Sequence, residues 1–126
     1  MRIREARALL DDGHFSGAYY LAGYSLECAL KACIAKGIQR YDFPDKNKIN
    51  ESYVHDPLKL VKTANLESVL NTATAADQQL ATRWALVKNW SEQSRYKTYS
   101  QADATAMIEA LTNVRHGVLR WIRQHW

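Results

Sequence analysis

The chain has 126 residues, 47% hydrophobic and 24% charged, with 17 Lys and Arg against 13 acids for a formal net charge of +4. That is the size and balance of one globular domain with material for a real core, which excludes a disordered chain as the starting reading. Five Gly and two Pro leave little for the tight turns of an all-β fold, so helix is favoured before any pattern is read.

Met1 to about Leu10 is the first expected helix, with Ile3, Ala6, Leu9 and Leu10 inward, and "DDGH" at 11–14 breaks it at Gly13. A long helix follows from Phe15 to about Lys36, closed by Gly37 at the C′ position. Its apolar face is Phe15, Tyr19, Ala22, Leu26, Ala29, Leu30 and Cys33, spanning about 100°. Cys28 and Cys33 lie too far apart along one helix for a disulfide, and their spacing matches no redox or zinc motif. They are expected to be two small buried hydrophobes in a reducing compartment. The start, "MRIREARALLDDG", is charged at once, and no segment approaches the roughly 20 apolar residues of a membrane span. The expected location is the cytoplasm, away from any membrane.

Residues 38–56 are polar and turn-rich and are expected to form a loop. Asp56 before Pro57 is an N-cap ahead of a helix whose Leu58, Leu60 and Val61 face inward until about Ala64. Asn65 is expected to cap "LESVL", and Thr74 with Asp77 to form a capping box for "DQQLATRWALVKNW", with Leu80, Trp84 and Val87 inward. "SEQSRYKTY" is an irregular link. Ser100 with Asp103 repeats the box and starts a last helix running almost to Trp126. Its inward residues are Ala104, Met107, Ile108, Leu111, Val114, Val118 and Ile122. Arg115 falls about 40° from Leu111 on that face. It must therefore snorkel or find a carboxylate, for which Glu27 is a candidate. No stretch reads as a strand and none repeats. The chain is expected to be a single all-α domain, 1–126, folded as an antiparallel up-and-down bundle of four to five helices.

No glycine-rich phosphate loop or nucleophile elbow is present. His14, His55, His116 and His125 have no metal-ligand spacing, so no metal and no cofactor are expected. His55, next to the Asp56–Pro57 cap, reads as a structural loop residue. The basic excess is scattered, with Arg115, Arg120 and Arg123 spread around the last helix. More informative is a second stripe on the long helix. Relative to Leu26, Glu27 lies at about 100°, Tyr20 at about 120°, Lys31 at about 140° and Tyr24 at about 160°. Two aromatic faces with hydroxyls beside a cation suit a stacked base, a helix contact or a subunit interface. The plainer reading is a half-buried flank with an ordinary i, i+4 ion pair of ~0.3–0.5 kcal/mol.

"GHFSGAYYLAGYSLECALKACIAKGI" resembles the signature helix of the HEPN domains (higher eukaryotes and prokaryotes nucleotide-binding). The matching elements are Gly13 with Phe15, Ala18, Tyr20, Ala22, Glu27, Ala29, Leu30, Lys31 and Ala32. "HDPLKLVKTA" is similar to the family's His-Asp start of a later helix, and "NWSEQSRYKTYS" to the Trp and Arg-Tyr of many bacterial members. The three pieces come in the family's order and cover nearly the whole chain. The resemblance implies a helical bundle that forms a homodimer. It also implies a nucleotidyltransferase partner in a toxin–antitoxin pair, and a nucleotide or RNA as ligand. In that reading Lys31 and Arg95 face phosphate, Tyr20, Tyr24 or Tyr96 stack, and Glu27 completes the binding strip.

The alternative implied by the family is a metal-independent endoribonuclease toxin. Members of that kind carry an Arg followed at short spacing by a His near the start of the last long helix. Here "YKTYSQ" after Arg95 holds no His. Arg120 and His125 have the spacing but stand at the end of the chain, and on a straight helix they point about 140° apart. They are the only catalytic candidates, and the leading expectation is a non-catalytic binding module.

Overall fold

A computed structural model of the chain describes residues 2–40 and 54–126, with side chains for all of these except 38–40. It is 76% helical, and no strand occurs among the described residues. The helices are α1 (Arg2–Asp11), α2 (Phe15–Arg40), α3 (Pro57–Thr63), α4 (Glu67–Ala76), α5 (Gln78–Val87), α6 (Gln101–Thr112) and α7 (Val118–Arg123), with a 3-10 turn at Glu92–Tyr96 before α6. The all-α bundle expected from periodicity is therefore the architecture, although the expected four to five helices are divided into seven among the described residues. Of the loop expected over 38–56, residues 38–40 belong to α2, 54–56 are irregular, and 41–53 lie outside the described residues.

Helix α2 is the spine. It packs against α1, α3, α6, α7 and the 3-10 turn. The chain enters it through Gly13 at φ 83°, a left-handed turn that an L side chain disfavours. Small residues then let α1 lie close along α2: Ala6 and Ala18 are fully buried, and the Leu9 side chain rests over Gly17. Leu26, Leu30, Ile34, Met107, Leu111 and Ile122 fill the space between α2, α6 and α7, each worth about 1.5–3 kcal/mol on burial. No described helix is long and apolar enough to cross a membrane.

The cap signals at Asp56 and Ser100 behave as expected. Asp56 accepts the Leu58 N–H at 2.9 Å, and the Ser100 and Asp103 side chains exchange bonds with each other's backbone N–H groups, both at 3.1 Å. Several other expectations are corrected. Gly37 does not end α2, which continues to Arg40; glycine permits a helix stop but does not impose one. Leu58 is 48% exposed, because the short α3 buries only Pro57, Leu60, Val61 and Thr63. Asn65 is not a cap for α4. It takes the left-handed conformation (φ 61°) that ends α3, a conformation Asn tolerates. Thr74 lies inside α4, bonded back to the Leu70 carbonyl, so Asp77 alone caps α5 through the Gln79 and Leu80 N–H groups.

The last helix is broken in two. The Asn113 side chain accepts the N–H groups of Arg115 and His116 at 3.0 and 2.8 Å, and so competes with continuation of the helix. A Cβ on Gly117 would sit 2.5 Å from the Asn113 carbonyl, so this corner requires the glycine. As a result Val114 is 84% exposed rather than inward. Arg115 is exposed too, and Glu27 is not its partner. Cys28 is exposed and Cys33 half-buried, both as free thiols, in place of the two buried residues expected. Cys28 lies about 200° around α2 from Leu26, on the side away from the core.

Candidate functional site

Glu27 sits at mid-α2 with 2% of its surface exposed. A carboxylate so placed needs partners, since desolvating an unpaired charge costs several kcal/mol, roughly. Lys31, one turn on, approaches Oε1 at 2.9 Å, and His55 Nδ1 bonds the same oxygen. His55 is delivered by the Asp56–Pro57 cap, which fixes the chain just where α3 begins. Its Nε2 faces Glu92 Oε2 at 3.4 Å, and Glu92 in turn lies 3.6 Å from Arg95 within the 3-10 turn. A single thread of polar contacts, Lys31–Glu27–His55–Glu92–Arg95, therefore ties α2, the entry to α3 and the 3-10 turn together.

An aromatic wall stands beside this thread. Tyr20 and Tyr24 are stacked one turn apart at 6.2 Å, and the Arg2 guanidinium lies 5.4 Å over the Tyr24 ring. Tyr20 also meets Trp90 at 5.7 Å. The Trp90 indole covers Gly23, where a Cβ would come within 2.1 Å of the ring. These residues enclose an open cleft of about 370 Å³ lined by Arg2, Tyr20, Leu21, Tyr24, His55 and Glu92. A second hollow of about 450 Å³ lies on the other side of His55 and Glu92, against Trp90 and Lys88. Arg95 stacks on Tyr96 at 4.9 Å, and Tyr96 is 71% exposed. Tyr96 first, then Glu92 and Tyr20, hold the Arg95 guanidinium above its ordinary range.

All six residues of the expected binding strip thus belong to one connected region. Their charges are arranged differently from the expectation. Lys31 is engaged by a buried carboxylate rather than standing free, and Arg95 leans on Glu92. The groups open to a ligand are the Tyr20 and Tyr24 side chains, Tyr96, the outer face of Arg95, and those donors of Arg2 not taken by Glu5, which lies 3.2 Å from its guanidinium. Glu27 Oε2 and Trp90 Nε1 are buried with no hydrogen-bond partner among the described residues.

Sequence reasoning did not find His55, Glu92, Arg2 or Trp90 as parts of this region. "HDP" identified a helix start but not where the imidazole would point, and a contact between Glu27 and His55 leaves no periodicity to detect. The catalytic candidates are not brought together. Arg120 donates to the Arg115 carbonyl at 3.0 Å, while His125 packs on Trp121 at 4.7 Å. Among the described residues no cluster of three or more His, Cys, Asp or Glu side chains is placed to hold a metal ion. The chain has no match among protein-family models, curated proteins or solved structures.

Proposed function

We propose that this chain is a HEPN-domain binding module for a nucleotide or RNA. In this reading it is non-catalytic and homodimeric, and serves as the subordinate subunit of a nucleotidyltransferase partner in a toxin–antitoxin pair. The observation that carries the proposal is the cleft in which the stacked Tyr20 and Tyr24 adjoin Arg2 and the Lys31–Glu27–His55–Glu92–Arg95 thread. Two tyrosine faces offer stacking to any base, and arginines at the edges offer charge to a phosphate without demanding a sequence. The thread supplies rigidity: its acids are spent on its own cations, leaving the outer face of Arg95 for an anion, together with the Arg2 donors that Glu5 does not take.

The test is binding of labelled single-stranded RNA and of mononucleotides, with sedimentation of the same samples. Stacking worth about 1–3 kcal/mol per base predicts that Tyr24→Ala weakens binding about 5–150-fold with the dimer intact. Loss of the dimer on Tyr24→Ala or Arg95→Ala with unchanged ligand affinity would instead make the strip a subunit contact. A nucleotidyltransferase retained through nuclease treatment in a pull-down supports the two-component reading; RNA alone, or nothing, rejects it.

A further inference from the structure

A further polar hollow lies where the corner between α4 and α5 meets the corner between α6 and α7. It encloses about 150 Å³, and its polar lining is Asp77, Arg115, His116, Arg120 and Gln124, beside the Trp121 ring. We propose that this hollow is a binding site for a phosphate group, held by Arg115 and Arg120 and completed by His116 in an orientation fixed by Asp77.

The charge accounting points to an anion. Asp77 is the acid in the lining, and it is fully used: Oδ1 accepts the Gln79 and Leu80 N–H groups at 3.0 and 3.2 Å, and Oδ2 takes His116 Nδ1 at 2.7 Å. These bonds, His116 foremost, hold the Asp77 carboxyl below its ordinary range, so it stays ionised and keeps the imidazole turned. An imidazole whose Nδ1–H is committed to a carboxylate has Nε2 as its remaining polar atom, which donates to a phosphate oxygen when the ring is protonated and accepts a phosphate O–H when it is neutral. Neither arginine is paired with a carboxylate among the described residues. Arg120 lines the hollow and donates one N–H to the neutral Arg115 carbonyl at 3.0 Å, while its other donors remain. Asn113 fixes the Arg115 and His116 backbone N–H groups, so both side chains leave a defined corner rather than a free loop.

Size restricts the ligand. At about 30 Å³ per water in the liquid, the hollow has room for roughly five waters. That suits one tetrahedral oxyanion, whereas sites that enclose a whole small-molecule ligand run to roughly 300–1,000 Å³. The chemical class is therefore a phosphate or phosphate monoester whose remainder extends into solvent. Guanidinium groups suit it because they present paired donors to two oxygens at once. This site shares no residue with the Tyr20–Tyr24 cleft, and its existence does not depend on the function proposed for that cleft.

The test uses inorganic phosphate against chloride at matched ionic strength, read by NMR on the His116 ring and by thermal shift. Saturable perturbation of His116 by phosphate is expected, weakened about tenfold or more in Arg115→Gln/Arg120→Gln. Both side chains are exposed, so the variant should fold; if it does not, Arg115→Gln alone carries the comparison. Tyr24→Ala should leave the response unchanged. A non-saturable response, an equal response in the arginine variants, or loss of the response in Tyr24→Ala would each overturn the assignment.

Discussion

Glu27 and His55 share a hydrogen bond that links the middle of α2 to the residue just before the α3 cap. The carboxylate is buried while the imidazole is 41% exposed, so the bond runs from the core to the wall of the cleft. Through it the position of a surface histidine is set by the packing of the spine.

Removing the carboxylate should therefore loosen the entry to α3 more than it destabilises the whole fold. Truncating one member of a buried pair costs about 3–5 kcal/mol when the partner charge is stranded. Here Lys31 and His55 are partly exposed and can hydrate, so Glu27→Ala should cost less, about 1–2 kcal/mol. Urea unfolding gives the magnitude. Hydrogen exchange should show the largest loss of protection at the start of α3, and a uniform loss across the chain would contradict this view.

Gly23→Ala tests the close approach of Trp90. The added Cβ would lie within about 2.4 Å of three indole atoms, and the indole is 1% exposed with little room to retreat. Overpacking of this kind costs typically about 1–3 kcal/mol. Wild-type stability in Gly23→Ala, despite the helix propensity gained, would mean that Trp90 is not held where described.

Acid unfolding should report the Asp77–His116 pair. The folded Asp77 carboxyl is held below its ordinary value, first by His116. A depressed folded value means the contribution is present above the unfolded value of 3.8 and is lost as pH falls through the folded one. Removing the imidazole with His116→Gln should therefore raise the pH at which acid unfolding begins. An unchanged acid midpoint would show that the pair does not persist in solution.

At the alkaline end the sign reverses. Tyr19 stacks on Tyr99 at 3.7 Å, and burial, followed by the neighbouring Tyr99, pushes its phenol up to about 12. A folded value raised above 10.0 gives a contribution present below pH 10 and lost as pH rises toward 12. Absorbance at the tyrosinate band should not distinguish wild type from Tyr19→Phe until pH approaches 12. A divergence near pH 10 would show an unburied phenol.

Ser100→Ala should cost about 0.5–2 kcal/mol by leaving the Asp103 N–H without its acceptor. Thr74→Ala, removing a hydroxyl bonded only within α4, should cost far less. Thermal unfolding of the two variants side by side checks the contrast, and equal losses would contradict it.

What the sequence determined by itself was local. Helical periodicity defined the spine and its core stripe. Asp56–Pro57 and Ser100–Asp103 set two helix starts, because a capping side chain bonds its own backbone a few residues away. The same reasoning grouped Tyr20, Tyr24, Glu27 and Lys31 on one side of α2, since they lie within about three turns of one helix. It failed where two local signals competed. Gly37 can stop a helix but need not, and Asn113 breaks one that an apolar stripe would have continued into Val114 and Arg115.

Only the tertiary structure decided which residues meet. His55 on Glu27, Glu92 on His55, Trp90 on Gly23 and His116 on Asp77 are contacts between elements distant in the chain, and they depend on how α2, α3, the 3-10 turn and the two corners pack. No spacing encodes such a contact. It exists because burying the apolar faces of several helices at once leaves one arrangement in which a carboxylate at mid-spine faces the entrance of another helix.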